Sequence, residues 1–200
     1  MLTSEIKWLR KEIPLKILGL LGVLFAETIN GSTEPDDPED DVWMLERASQ
    51  TESYSKIVDY SYQLLNSNGF SVAEIDYDDL VVECHKYNIN GPHQPEFTMH
   101  TDDYGAIHDA RVHTVIYSLQ KDPTITGGDL IIYPNAQLDH NVPVENTDLT
   151  TCHRFEVDAG IMILMRGDLA HAVEEMGGTG IRRSVVVQIR RDLYVESEDE

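Results

Sequence analysis

Three residues of this chain have the types and spacing of a catalytic metal centre: the pair in His100-Thr101-Asp102 and, far downstream, His171. In an extended strand, residues two apart share a face, so the His100 imidazole and the Asp102 carboxylate can reach one ion together. His171 supplies the third ligand if the strand-like stretch from Gly160 to Met165 ends beside the first strand. Two imidazoles and a carboxylate on one side of an ion leave the opposite positions open, the arrangement that suits non-haem Fe(II) activating O₂. Open positions imply chemistry rather than a structural metal. Further on, Arg182 and Arg183 offer a planar guanidinium, which makes two parallel charge-assisted hydrogen bonds to a carboxylate and could anchor an acidic cosubstrate. Arg182 shares a strand face with Ser184, whereas Arg183 shares one with Val185, Val187 and Ile189. Arg182 is therefore the expected anchor and Arg183 the competing one.

A lone His-x-Asp arises easily by chance, so the surrounding elements must support it. Arg111 to Leu119 is a β-branched run, and Gly127-Gly128 is a turn feeding the strand-like Leu130-Ile-Ile-Tyr133. Asp158 to Met165, then His171-Ala-Val, then Gly177-Gly-Thr-Gly180 and the strand Ile181 to Ile189 complete the order. Upstream, about Val42 to Asn68 reads as helix with Asn68-Gly69 as its stop, and β character begins at Phe70 to Tyr77 and continues at Leu80 to Ile89.

This order of elements resembles the prolyl-hydroxylase-like branch of the Fe(II)/2-oxoglutarate-dependent oxygenases, over about Val81 to Asp192. The resemblance implies a mainly β chain with flanking N-terminal helices, its catalytic part a double-stranded β-helix, or jelly roll. It implies His100, Asp102 and His171 as Fe(II) ligands, and Arg182, in an Arg-x-Ser pattern with Ser184, as the site for the far carboxylate of 2-oxoglutarate. Tyr87 takes the place of a tyrosine that lines the cosubstrate pocket. Thr114, with Arg111 at the start of its strand, matches an Arg-x-x-Thr pattern and is implied as a cosubstrate-binding residue. Where relatives carry a second tyrosine four residues after that threonine, this chain has Ser118, a shorter hydroxyl that can still bond the cosubstrate carboxylate, and Tyr117 beside it points to the other face.

The cosubstrates so implied are 2-oxoglutarate and O₂, with ascorbate as an auxiliary reductant, and the implied reaction is hydroxylation of an unactivated C–H bond. A carboxylate at Asp102 fills the position a halide would need, which favours hydroxylation over halogenation. The expected substrate is peptidyl and prolyl-type. A small molecule or free amino acid is the alternative, and a non-catalytic, metal-binding jelly-roll interaction domain the non-enzyme reading.

Fifteen Lys and Arg against 36 Asp and Glu give a formal net charge of -21, which would repel a phosphate backbone and excludes nucleic acid as a partner. The same charge would attract a basic peptide or an amine. Cys84 and Cys152 lie far apart in no metal-like spacing and read as free thiols, in keeping with a reducing, cytoplasmic setting. The histidines His85, His93, His108, His113, His140 and His153 form no second metal-like set; His108, Asp103 and Tyr104 read as loop residues beside the metal.

No apolar run reaches transmembrane length, so no membrane partner is expected. Ile6 to Asn30 is basic and then apolar, and reads as a helix packed outside the sheet, with a signal peptide as the competing reading. The expected organisation is an N-terminal helix and acidic loop over 1–41, an oxygenase domain over 42–192 and an acidic tail over 193–200. Composition is silent on oligomeric state.

Overall fold

The computed structural model describes residues 8–31, 42–44, 51–75, 80–90, 97–102, 112–139 and 141–191. The acidic run 34–41, Asp103, Tyr104, His108, Arg111 and the tail 193–200 lie outside them. In chain order the elements begin with β1 (Trp8–Glu12), α1 (Leu15–Gly31), β2 (Val42–Met44), α2 (Glu52–Ser67), β3 (Val81–Asn90), β4 (Phe97–His100) and β5 (Val112–Lys121). Then follow β6 (Thr126–Gly127), β7 (Leu130–Tyr133), β8 (Leu138–Asp139), β9 (Val142–Pro143), β10 (His153–Phe155), β11 (Ile161–Arg166), β12 (Ala170–Val173), β13 (Met176–Gly177) and β14 (Thr179–Arg190).

Two antiparallel sheets carry the domain. The major sheet has the order β1-β11-β5-β14-β3-β2 and the minor sheet the order β10-β7-β12-β4. Side chains alternate across the major sheet, and each face has its own task. Val82, Cys84, Val115, Tyr117, Met162, Leu164, Val185, Val187 and Ile189 are buried with α1 and α2 in the larger core. On the other face, Ile163 and Met165 meet Leu130 and Ile132 of the minor sheet in a second core between the sheets. Tyr117 does face the helices, and its buried hydroxyl is satisfied by Ser61 Oγ at 2.7 Å.

The helices form where their signals lie, although their ends differ from the sequence expectation. Pro14 opens α1: the amides of Ile17 and Leu18 bond to its carbonyl, and Ile17, Leu21, Leu24 and Phe25 are buried. The preceding residues are strand rather than helix. Trp8 packs toward the core between the sheets and Leu9 toward the helix side, and that period-2 alternation pairs β1 with Met165–Ile161. Thr51 caps α2 by accepting the Tyr54 N–H, so the helix begins at Glu52, and Val42–Met44 instead pairs with β3.

Asn68 and a positive-φ Gly69 end α2 as expected and turn Phe70 into the core. The expected strand from Phe70 reduces to one bridge, Val72 with Arg191, among its described residues. Both cysteines are free, Cys84 buried and Cys152 exposed; burial pushes the Cys84 thiol up to about 12. Among the described residues no helix is long and apolar enough to cross a membrane.

Candidate metal and cosubstrate site

The sequence-predicted ligands converge, though not by the route expected. His100 is the last residue of β4, and Asp102 lies beyond the strand, where its N–H donates to Gly167 O at 2.8 Å. β11, expected to deliver His171 directly, instead lies in the major sheet between β1 and β5. A turn through Gly167 and Leu169 crosses to the minor sheet, where His171 on β12 stands directly opposite His100 on β4. That turn fixes two ligands at once, because Leu169 O accepts from His171 Nδ1 at 2.9 Å.

Ring chemistry decides what faces inward. His100 Nδ1 bonds to Thr98 O at 2.8 Å, so in both imidazoles the Nδ1–H is spent on a carbonyl and Nε2 keeps its lone pair. Both Nε2 atoms look at the same carboxylate oxygen: Asp102 Oδ1 is 3.8 Å from His100 Nε2 and 3.7 Å from His171 Nε2. The other oxygen, Oδ2, accepts a hydrogen bond from Thr114 Oγ1. One ligand atom from each residue lies within 4.8 Å of the others, an N₂O donor set that fits Fe(II). Burial pushes the His171 imidazole below its ordinary value, opposed by Asp102 and aided by His100, which keeps the ring in the neutral form that binds a metal.

A cavity of about 140 Å³ opens from the triad along the inner face of the major sheet. Thr114, Gln188 and Val186 line it near the metal end, and Ser184, Tyr87 and Arg182 line it further along. Arg182 is 4 % exposed, its Nε has no hydrogen-bond partner among the described residues, and Nη1 meets the Met176 sulfur at 3.4 Å. Burial lowers its value, with Tyr87 and Asp129 opposing. A buried, under-partnered guanidinium is costly unless an anion completes it, so the donor set at this end fits a carboxylate. The turn that leads there tolerates only glycine: at Gly178, φ is +94° and a Cβ would fall 2.1 Å from Thr124 O.

Arg183 faces the other way, its guanidinium 5.4 Å from the Phe25 ring centroid on α1. A register shift between β14 and β5 falls between Arg183 and Ser184, and Ser118 pairs with Ser184. Ser118 is fully buried, and its Oγ has no hydrogen-bond partner among the described residues, yet it does not reach the cavity wall. The structure thus brings Tyr87, Thr114, Arg182 and Ser184 to the cavity and leaves Ser118 beside it. Thr114 spends its hydroxyl on Asp102, which makes it a metal-side residue.

No protein-family model and no curated protein sequence matches the chain. Solved structures do. A prolyl-4-hydroxylase from Pseudomonas putida is 15% identical, with 93% of each chain covered and a TM-score of 0.60. A prolyl hydroxylase from Trichoplax adhaerens, in complex with a hypoxia inducible factor peptide fragment, is 13% identical over 100% of this chain and 90% of that one, at 0.59. A non-haem, α-ketoglutarate-dependent carbocyclase from nogalamycin biosynthesis is 12% identical over 94% and 80%, at 0.62. The chain has the prolyl-hydroxylase fold.

Within that fold, sequence reasoning missed two cavity residues. Glu83 and His85 alternate along β3 with the expected Tyr87, and all three line the cavity. Glu83 Oε2 lies 2.8 Å from His85 Nε2, and His85 Nδ1 lies 2.8 Å from the Tyr87 hydroxyl. The i, i+2, i+4 spacing back from Tyr87 was the available signal. Ile116, Leu130 and Val173 supply apolar wall.

Proposed function

We propose that the chain is an Fe(II)/2-oxoglutarate-dependent oxygenase that hydroxylates an unactivated C–H bond of a peptidyl, prolyl-type substrate. The observation that carries this reading is the buried, under-partnered Arg182 in the same cavity as the His100, Asp102 and His171 donor set. A structural metal site needs no such arginine, and an acidic cosubstrate does. Bound Fe(II), with 2-oxoglutarate and O₂, would supply the oxidising power for hydroxylation, with succinate and CO₂ as coproducts.

The chain's own residues prepare that chemistry. Leu169 O and Thr98 O orient the two imidazoles, Thr114 holds Asp102, and Arg182 with Ser184 receives the far carboxylate. Ile116, Leu130, Val173 and Val186 keep the chamber apolar and its electrostatics strong. The peptidyl assignment is supported by the prolyl hydroxylases among the structural neighbours, one of them solved with a peptide. A small-molecule substrate is the second reading, because a carbocyclase of nogalamycin biosynthesis has the same fold.

The test is stoichiometric. Purified protein with Fe(II) and 2-oxoglutarate should form succinate, and proline-containing peptides should gain one oxygen. His171→Ala should abolish both. Full activity in that variant would overturn the assignment, and oxygen gain only in small molecules would shift it to the second reading.

A further inference from the structure

The cavity carries one more charge than its proposed occupants require. Divalent iron and dianionic 2-oxoglutarate cancel each other, and Asp102 and Arg182 do the same. Among the described lining residues Glu83 is the charge left over. A half-buried carboxylate facing a largely apolar cavity is a place where a cation is favoured.

We propose that Glu83, held in place by His85, reads a protonated amine on the substrate; this rests on the oxygenase reading of the cavity. Glu83 is a constrained group rather than a solvated surface acid. Its side chain is only 22% exposed, its Oε2 is engaged by His85, and it projects from the inner face of β3. His85 Nε2–H donates to Glu83 Oε2 and the Tyr87 hydroxyl meets His85 Nδ1, so this chain of contacts orients the carboxylate toward the cavity.

The neighbours define the rest of the ligand. Val186 stands opposite Glu83 on β14, and Ile116 opposite Val186 on β5. Both line the cavity, so the ammonium must be borne on an apolar body. A prolyl ring alone offers Glu83 nothing. The target residue, or its neighbour in the peptide, carries the amine, as a lysine would; a free alkylamine carries the same chemistry. The net charge of -21 would steer either toward the protein.

Calorimetric titration under argon, with Fe(II) and 2-oxoglutarate present, tests this without turnover. One arm compares an end-capped Gly-Pro-Lys-Gly peptide with its acetyl-lysine counterpart, and the other compares n-pentylamine with n-pentanol. The charged probe should bind roughly ten-fold tighter or more in at least one arm. The peptide arm alone would identify a peptide source, the amine arm alone a small amine. Glu83→Gln should erase the preference, while Glu145→Gln, an exposed carboxylate outside the cavity, should preserve it.

Equal binding of charged and neutral probes in both arms overturns the proposal. A preference that survives Glu83→Gln overturns it as well. The wild-type comparison needs no variant, so a poorly folding Glu83→Gln leaves the test intact. If charge discrimination holds but 2-oxoglutarate is never consumed, the oxygenase reading fails and the role of Glu83 stands.

Discussion

Thr114 Oγ1 donates to the one Asp102 oxygen that faces away from the two histidines. The threonine therefore sets the rotation of the carboxylate and presents Oδ1 to the ion. Outer contacts of this kind typically alter metal affinity by about 10- to 100-fold. Thr114→Val keeps the shape and deletes the hydroxyl. It should weaken Fe(II) binding by about that factor while leaving the thermal transition cooperative. A metal titration showing unchanged affinity would return Thr114 to a purely packing role.

Arg182 and Arg183 are adjacent in sequence and opposite in orientation, so their alanine variants should separate cleanly. Arg182→Ala should raise the 2-oxoglutarate requirement by an amount equivalent to about 2–5 kcal/mol, because a buried carboxylate loses its charged partner. Fe(II) affinity should barely change. Arg183→Ala removes the cation held over Phe25, worth about 0.5–1 kcal/mol of stability at a partly exposed site, and should leave the cosubstrate requirement alone. Should Arg183 have the larger effect on cosubstrate binding, the facing of β14 is wrong.

His113 gives the fold a pH dependence independent of the metal. Burial, and then the nearby Arg191, push its imidazole down from 6.5 to about 4, and its Nε2 contacts Ser71 O at 2.9 Å. The folded value is the lower one, so between those limits the unfolded chain binds more protons and stability rises with pH. The contribution is complete above 6.5 and lost as pH falls toward 4. Its full size is about 3 kcal/mol. Denaturation of the apo protein across that range should show the loss, and His113→Gln, which cannot charge there, should flatten it. Identical profiles for the two proteins would contradict the assignment.

The ligand set was legible because His-x-Asp, a distant histidine and an Arg-x-Ser strand are rare together, whatever path joins them. The outward turn of Tyr117 followed from strand parity, and the inward turn of Arg182 from parity together with the Arg-x-Ser resemblance. Other features depend on partners that no local pattern contains. Trp8–Glu12 looks like the approach to a helix until Met165–Ile161 supplies its pairing edge. Glu83 and His85 are ordinary polar strand residues until the cavity closes over them. Thr114 reads in the sequence as a cosubstrate contact, and its bond to Asp102 depends on where Asp102 lies beyond the end of β4.

β4 is four residues long, lies at one margin of its sheet, and has β12 as its neighbour there. Its last residue is His100, facing His171 across that single seam. An ion gripping both imidazoles and Asp102 would therefore act as a rivet through this margin of the minor sheet, tying a short edge to the turn at Gly167. Catalytic competence and local resistance to opening would then be gained in the same binding event, and chelation would loosen this margin before the helix-backed core.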